Sequence, residues 1–217
     1  MSVVAIIDYD VGNIKSIVNA LEKVGAEVII TKNEKEIMAA DGVVLPGVGA
    51  FSHGMMKLHE YGLVDVIKNF SKTDKPLLGI CLGMQMLFSS SNEFGITFGL
   101  DLIHGKIEKL KTLNPEYLKL PHVSWSEIFE PKLDYWKNSI LDNISSQENM
   151  YFVHSFAAFP ENKENILSTT VYSDYEFCSS VQEGNIYGCQ FHPEKSASEG
   201  LKIMSNFVNI CERNKNV

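Results

Sequence analysis

The sequence predicts an α/β fold, a doubly wound and mostly parallel sheet with helices on both faces and an additional antiparallel portion in the second half. In the first ninety residues, short apolar runs alternate with helical patterns, which is the order typical of a parallel sheet. In the second half, the apolar runs are short and separated by polar turns, which is typical of antiparallel hairpins. We expect residues 1–217 to form a single domain.

The composition excludes several classes of protein. Apolar residues make up 45% of the chain and charged residues 21%, which is usual for a globular protein and excludes wholesale disorder. The net charge of −8 argues against a nucleic-acid partner. No uncharged apolar run approaches the roughly 18 residues that a membrane helix needs, and the N-terminus lacks the basic segment of a secretion signal. We therefore expect a cytoplasmic protein without a membrane partner.

The cysteines and histidines show no spacing that is typical of a metal site. The cysteines lack a C-x-x-C pair and are too few for a disulfide framework in a chain of this length; they are Cys81, Cys178, Cys189 and Cys211. We expect no metal and no cofactor.

The first half of the chain is expected to supply the parallel strands. Continuous β-branched residues at 3–7 predict a buried strand, followed by a helix at 14–24 with Asn13 as a candidate N-cap and Gly25 as its end. Further strands are expected at 27–31, 42–45 and 77–81, and helices at about 51–71, interrupted near 61–62, and at 82–88.

The second half is expected to supply hairpins and a closing helix. Strands are predicted at 150–156, 166–171, 177–181 and 186–191. The last helix is predicted at about 198–211, where apolar residues share one face, and residues 196–199 fit a capping box at its start.

A G-x-C-x-G segment places Cys81 between Gly79 and Gly83, where a strand is expected to turn into a helix. It is the thiol counterpart of the G-x-S-x-G nucleophile elbow, in which glycines allow a sharp turn. The following helix N-terminus would favour a thiolate, and the Leu82 amide would point towards a substrate oxyanion. The alternative is a small core residue, which a buried cysteine between glycines more often is.

A second candidate segment follows a predicted strand, where His192 and Glu194 flank Pro193. Residues i and i+2 of an extended chain face the same way, so the carboxylate could orient the imidazole while His192 takes a proton from a thiol. The alternative is a strand-end histidine beside a solvated glutamate.

A third candidate segment, at 45–51, ends another parallel strand. Two glycines around Val48 form a loop that can present a backbone N–H to a ligand at the carboxyl edge of the sheet, where the Leu82 amide is also expected. The alternative is an ordinary turn between a strand and a helix.

These three segments together resemble the class I, or triad, glutamine amidotransferases, and most closely the glutaminase subunits of imidazole glycerol phosphate synthase. The likeness extends through 7–13, 45–49, 79–85, 121–125, 151–155 and 190–196. The resemblance implies hydrolysis of L-glutamine through a thioester, with Cys81 as nucleophile, His192 as general base and then acid, and Glu194 as the orienting carboxylate. It also implies that the backbone N–H groups of Val48 and Leu82 form an oxyanion hole.

The resemblance further implies a glutamine-binding set. Five residues would hold the α-amino and carboxylate groups of the substrate: Gly49, Gln85, Glu93, Ser155 and Phe156. This assignment is chemically reasonable because an ammonium group pairs with a carboxylate such as that of Glu93. Without the resemblance, Glu93 would be interpreted as a solvated loop residue.

The resemblance also implies a partner. A separate (β/α)8-barrel synthase would form a heterodimer with this chain and use the ammonia to make imidazole glycerol phosphate in histidine biosynthesis. The residues expected to dock it are Asn13, Pro121, His122, Trp125 and Lys195.

Three residues depart from the family pattern. Asp10 occupies a position where the family has glycine, and Ser124 and Ser126 occupy positions that commonly hold glycine and asparagine. These departures leave open a paralogous glutaminase that supplies ammonia for sugar amidation, in acetamidino sugars of surface polysaccharides. A non-catalytic docking or regulatory module is a remoter alternative, against which the complete triad argues.

Overall fold

The order of the helices and strands follows the predicted α/β pattern. The computed structural model describes residues 1–111 and 119–215. The first half contains β1 (Val3–Ile7), α1 (Ile14–Lys23), β2 (Glu27–Thr31), α2 (Glu34–Ala39), β3 (Gly42–Leu45), α3 (Phe51–Glu60), α4 (Leu63–Phe70), β4 (Leu77–Ile80), α5 (Leu82–Met86), β5 (Phe88–Ser91), β6 (Thr97–Phe98) and β7 (Ile103–Lys109). The second half contains β8 (His122–Ile128), β9 (Glu148–His154), β10 (Phe156–Pro160), β11 (Ile166–Tyr172), β12 (Tyr175–Glu183), β13 (Ile186–Cys189) and α6 (Ala197–Lys215).

Eleven of the strands within the described ranges form one sheet. Its order is β2-β1-β3-β4-β13-β12-β10-β7-β5-β6, with β11 alongside β12. The pairs from β2 to β13 are parallel, whereas β12 pairs antiparallel with β13, β10 and β11. The predicted fold class is therefore confirmed, with the parallel half first and the antiparallel portion later in the chain.

Two hydrophobic cores lie on the two faces of the parallel half. Along β1, Val4 and Ile6 belong to the core beneath α1 and α6, while Ala5 and Ile7 belong to the core beneath α2 to α5. Both faces of the strand are buried, which is why its sequence is continuously apolar rather than alternating. Each of the larger side chains contributes about 1.5–3 kcal/mol through burial.

The sequence patterns missed six elements: α2, β5, β6, β7, β8 and β10. Helix α2 is six residues long, too short to show periodicity, and begins where the Asn33 side chain accepts hydrogen bonds from the N–H groups of Lys35 and Glu36. Strand β8 pairs with β9 in a separate two-stranded sheet, and its inward positions hold histidine and serine instead of the apolar residues that signal a strand.

Two of the predicted helix caps differ from the structure. Asn13 precedes α1 as expected, but its side chain makes no capping hydrogen bond, while Gly25 ends the helix region with a φ of +91°. The capping box at Ser196 was wrong, because the hydroxyl donates to the carbonyl oxygen of His192 and accepts from the N–H of Tyr151. Ser196 thus ties the His192 segment to β9.

No helix within residues 1–111 and 119–215 is both long and apolar enough to cross a membrane. The four cysteines are buried and free. The single domain over residues 1–217 stays a prediction.

Candidate active site

The turn between β4 and α5 holds Cys81 in an unusual backbone conformation. Its φ is +54° and its ψ −111°, a combination that costs a non-glycine residue about 1–3 kcal/mol and is often found at functional sites. The flanking glycines permit close backbone approach: a Cβ on Gly79 would lie 2.7 Å from the Gly83 carbonyl carbon, and one on Gly83 would lie 1.9 Å from the Leu45 carbonyl oxygen. The segment therefore has the geometry of a nucleophile elbow.

The Cys81 thiol is buried beside polar groups from two other strands. Its Sγ atom lies 3.7 Å from the Gln190 amide nitrogen, which donates to it, and 3.9 Å from the carbonyl oxygen of Val153. Gln190 is fully buried. Gln190 was not among the predicted site residues, although a polar residue at the end of a buried apolar strand was an available signal.

The histidine and glutamate of the second segment form a buried pair. His192 Nδ1 lies 2.8 Å from Glu194 Oε1, and the two side chains are 2% and 1% exposed. Among the described residues, neither His192 Nε2 nor Glu194 Oε2 has a hydrogen-bond partner. Nε2 is therefore left available on the ring edge opposite the carboxylate, where it can take up a proton and give it back.

Burial and the neighbouring side chains shift the pKa of His192 in opposite directions. Burial by itself lowers its pKa, but interactions with Cys81 and Glu194 outweigh burial and raise the pKa above its ordinary value. Because Nε2 makes no hydrogen bond of normal geometry, the bonded Glu194 carboxylate is the cause of the increase that the geometry supports. Glu194 thus stabilises the imidazolium form.

A cavity of about 340 Å³ opens where these segments meet. Cys81 and His192 are on its wall, which brings together two residues that are far apart in the sequence. The residues predicted for the oxyanion hole and for glutamine binding are also on this wall: Val48, Gly49, Leu82, Gln85, Glu93, Ser155 and Phe156. The volume is in the range of small-molecule sites, so the cavity can admit an amino acid.

The loop before α3 is held in place by a residue that the sequence analysis missed. The buried hydroxyl of Tyr9 donates to the carbonyl oxygen of Pro46 at 2.6 Å, and burial raises the pKa of this phenol. Val48 is 42% exposed and Gly49 has a φ of +91°. Tyr9 therefore anchors one end of a loop whose other end remains accessible to a ligand.

Glu93 connects the end of β5 to the same loop region. Its Oε2 atom accepts a hydrogen bond from the N–H of Phe51 at 2.7 Å, at the start of α3. The carboxylate is only partly buried and borders the cavity. The Glu93 carboxylate can therefore accept the hydrogen bond at the start of α3 and contact a ligand in the cavity at the same time. The loop sequence around Glu93 did not indicate the contact with α3.

Gln85 links α5 to the opposite wall of the cavity. Its Nε2 atom donates to the carbonyl oxygen of Phe156 at 3.0 Å and to Gln190 Oε1 at 2.9 Å. Both amide hydrogens are therefore committed to the protein. Gln85 positions the cavity wall as well as bordering the cavity.

Two of the residues predicted to dock a partner, Trp125 and Lys195, lie beside the same Tyr151 ring. Trp125 is 50% exposed and contacts Tyr151 edge-on, with ring centroids 5.9 Å apart. The ammonium group of Lys195 lies 5.9 Å from the same Tyr151 ring. Pro121 is exposed at the cavity wall, and Asn13 is partly exposed. Their role in docking stays a prediction.

His122 does not share the exposure of those residues, and its role in docking stays a prediction. Its side chain is fully buried, and the ring stacks on Tyr172 at 3.9 Å and on Phe152 at 5.0 Å between centroids. The alternation along β8 turns His122 inward and Trp125 outward, since successive strand residues face opposite sides.

The fold and the sequence agree with one class of protein. Two solved structures superimpose over nearly the whole chain: one from Thermoplasma acidophilum described as part of a GMP synthase (TM-score 0.74, 19% identity, covering 100% of this chain and 96% of that one), and PurLQS from Thermotoga maritima (TM-score 0.68, 19% identity, covering 96% and 99%). At this identity they support the fold alone. The family model of class I glutamine amidotransferases matches residues 5–211, which defines the class.

Curated relatives define a narrower group. The imidazole glycerol phosphate synthase subunit HisH 1 of Legionella pneumophila (strain Paris) is 43% identical over 97% of this chain and 100% of its own length. The subunit HisH of Moorella thermoacetica is 43% identical over 95% and 94%, and subunit HisH 2 of Methanococcus maripaludis is 46% identical over 94% and 98%. The chain therefore belongs to the class I glutamine amidotransferases and, within them, to the family of HisH subunits.

Proposed function

We propose that this chain is a glutaminase subunit that hydrolyses L-glutamine and delivers the ammonia to a separate (β/α)8-barrel synthase, which forms imidazole glycerol phosphate in histidine biosynthesis. The observation that carries the proposal is the meeting of Cys81 and His192 on one cavity wall, with Glu194 bonded to the far side of the imidazole. The identity of 43% to the whole length of a HisH subunit supports the same role.

The proposed reaction proceeds through two tetrahedral intermediates. His192 takes the proton of the Cys81 thiol as the sulfur attacks the side-chain amide carbon of glutamine, and then gives that proton to the departing ammonia, which leaves a thioester. His192 then takes a proton from water, which attacks the thioester and releases glutamate and the free thiol. The backbone N–H groups of Val48 and Leu82 would stabilise the oxyanion in both steps.

The cavity wall offers groups that match the rest of the substrate. The Glu93 carboxylate is suited to the α-ammonium group, and an ionised acceptor makes a stronger hydrogen bond than a neutral one. The backbone of Gly49, Ser155 and Phe156 would surround the α-carboxylate end, whereas Gln85, whose amide hydrogens bond to the protein, has only its side-chain oxygen left for the ammonium group. This arrangement would place the side-chain amide of glutamine at the Cys81 end of the cavity.

The face formed by Trp125, Tyr151 and Lys195 is the proposed docking site for the synthase, with Asn13 and Pro121 at its margin. A half-exposed tryptophan is the kind of residue that often dominates binding energy at an interface. Pro121, four residues before Trp125, borders the glutamine cavity. A partner bound there would receive ammonia close to where it forms, in a cytoplasmic heterodimer.

The position of Ser124 and Ser126 bears on the sugar-amidating alternative. Both serines face inward from β8, where their hydroxyl groups contact His122, whereas Trp125 faces outward. These two departures therefore leave the exposed chemistry around Trp125 unchanged, whereas the third, Asp10, is exposed and accepts a hydrogen bond from Tyr61. The inward position of the two serines favours the histidine-pathway role over the supply of ammonia to a sugar-modifying enzyme.

The test combines an assay with a growth experiment. We expect slow glutamine hydrolysis by the isolated chain, strong stimulation by the cognate barrel subunit with its ligand, and rescue of a histidine auxotroph that lacks this subunit. Cys81→Ala should abolish hydrolysis, by at least about 1,000-fold, because it removes the nucleophile. Cys178→Ala, which truncates another buried cysteine outside the cavity, is the matched control and should retain activity.

Each alternative has its own outcome in these experiments. One outcome is a chain that hydrolyses glutamine but does not rescue the histidine auxotroph. If its ammonia is then used by an added sugar amidotransferase, the sugar-amidating role is favoured. Rescue by Cys81→Ala at low ammonium would instead indicate a docking module without catalysis.

A further inference from the structure

Two buried histidines lie directly behind the proposed glutamine cavity. His122 Nδ1 is 3.0 Å from His154 Nε2, and the other ring nitrogen of His154, Nδ1, is 2.8 Å from the carbonyl oxygen of Phe156. His122 is fully buried and His154 is 6% exposed. The proposed mechanism uses neither of them, although His154 and Phe156 both border the cavity.

Both histidines are neutral at pH 7. Burial lowers the pKa of His122 to about 4, and burial, followed by smaller effects of its neighbours, lowers that of His154 to about 3. A neutral imidazole has one nitrogen that donates and one that accepts a hydrogen bond. Each uncharged ring can therefore accept a hydrogen bond at one nitrogen and donate one at the other.

The Phe156 carbonyl determines which nitrogens carry the protons. A carbonyl oxygen only accepts, so His154 Nδ1 must be the donor and His154 Nε2 the acceptor. His122 Nδ1 then has to donate to His154 Nε2, which leaves His122 Nε2 as an acceptor. The geometry thus specifies the Nδ1–H tautomer for both rings, since the partner of one nitrogen sets the state of the other.

The two serines that depart from the family pattern supply the required donor. Ser124 Oγ and Ser126 Oγ each lie 2.9 Å from His122 Nε2, and the two hydroxyl oxygens lie 3.1 Å from each other. One hydroxyl can donate to the ring while the other donates to its neighbour. Either serine alone can therefore satisfy the buried nitrogen.

A second hydrogen-bonded path ends at the same carbonyl. Gln85 donates to the Phe156 oxygen and to Gln190, and Gln190 in turn donates to the Cys81 sulfur. The carbonyl is consequently held from two sides, by His154 and by Gln85. Residues 153–156 make up one wall of the cavity, so the position of this wall depends on both paths.

We propose that Ser124, Ser126, His122 and His154 form a positioning network that holds the cavity wall at residues 153–156 in the geometry that binds glutamine. The proposal deepens the function proposed above and rests on it. None of the four residues is assigned a chemical step; they act through the Phe156 backbone. Their removal should weaken the binding of glutamine more than it slows the chemistry.

The first test measures the tautomers in the intact protein. Nitrogen-15 NMR of the histidine side chains at neutral pH should show both His122 and His154 protonated at Nδ1 and not at Nε2. Assignment uses His122→Asn and His154→Asn. A proton on Nε2 of either ring in the wild-type protein would overturn the network, whether or not the chain hydrolyses glutamine.

The second test measures glutamine kinetics in a serine series. Ser124→Ala combined with Ser126→Ala leaves His122 Nε2 without its donors and should raise KM by about tenfold, as expected for one lost hydrogen bond to a buried group. Each single change should have a much smaller effect, so the pair should be strongly non-additive. Ser145→Ala, which removes an exposed hydroxyl from a nearby loop, is the matched control.

The KM and kcat of the double variant separate positioning from general destabilisation. A loss of folded protein would lower the apparent kcat and leave KM unchanged, whereas a displaced wall raises KM. An unaltered KM in a folded double variant would overturn the proposal. Inactivity of the wild-type chain would contradict the glutaminase function instead, and the NMR result would still decide whether the network exists.

Discussion

His192 Nδ1 and Glu194 Oε1 lie 2.8 Å apart in an environment where both side chains are almost completely excluded from solvent. A buried carboxylate beside an imidazole favours the protonated ring and fixes its orientation. Pro193 between the two residues starts a short 3-10 turn and restricts how far they can separate. The pair is therefore organised before any substrate binds.

This pair predicts how stability depends on pH. Burial lowers the pKa of His192, but interactions with Cys81 and Glu194 outweigh burial and raise the pKa to about 10. A histidine whose pKa is raised by folding stabilises the folded protein. This stabilisation is complete when the pH is below the pKa in the unfolded chain, about 6.5, and it is lost as the pH rises to the pKa in the folded protein. The wild type should be more stable to unfolding than Glu194→Gln at about pH 6. This difference in unfolding free energy should become smaller as the pH is raised to about 10. Urea titrations across this range provide the measurement, and a constant difference would contradict the prediction.

Alkylation should distinguish Cys81 from the other cysteines. All four are buried, but Cys81 borders the cavity, whereas Cys178, Cys189 and Cys211 do not. Burial raises the pKa of Cys178 to about 12 and raises those of the other two still further, which keeps them as unreactive thiols. Mass spectrometry after brief iodoacetamide treatment should find label first at Cys81. Early label at Cys211 in the folded protein would be inconsistent with this structure.

Gly83→Ala should disrupt the elbow. The new Cβ would lie 1.9 Å from the Leu45 carbonyl oxygen, so β3 and α5 would have to separate. We expect a loss of at least about 3 kcal/mol in unfolding free energy. Gly184→Ala is the control, because its Cβ meets open space and only the positive φ is costly, by about 1 kcal/mol. Equal losses in the two variants, measured by urea denaturation, would argue against the close approach.

Two substitutions of Glu93 should separate its two contacts. Glu93→Gln keeps an oxygen acceptor for the Phe51 N–H but loses the charge, so KM for glutamine should rise by about tenfold or more while stability is nearly unchanged. Glu93→Ala should also lose about 1 kcal/mol of stability with the missing hydrogen bond. Kinetics and thermal denaturation of both variants provide the test. An unchanged KM in Glu93→Gln would remove Glu93 from the glutamine site.

Trp125→Ala should weaken binding of the proposed synthase partner. The side chain is half exposed on the proposed docking face, and a central tryptophan at an interface typically contributes about 2 kcal/mol or more, which is roughly 30-fold in Kd. Calorimetric titration of the two subunits would measure the change. Leu133→Ala, at an 89% exposed position elsewhere on the surface, should have no effect; equal affinities for wild type and Trp125→Ala would place the interface elsewhere.

Much of the fold was predictable because its signals are local. The run at 3–7 is apolar on both faces, and the structure buries both faces of β1. Gly25 and the interruption at 61–62 mark the ends of α1 and α3. Helix α2 was not predicted because its six residues are too few to show a helical periodicity. Strand β8 was not predicted because it buries polar side chains where apolar ones are expected.

The sequence by itself determined the class of this protein and the chemistry of its motifs. Glycines on either side of Cys81 and the spacing of His192 and Glu194 act over a few residues, so backbone sterics make them readable without a fold. Only the tertiary structure decided that His122 is buried, that Gln190 reaches the Cys81 sulfur and that Glu93 holds the start of α3. These contacts join residues dozens of positions apart, and which polar groups become buried together depends on how the strands and helices pack.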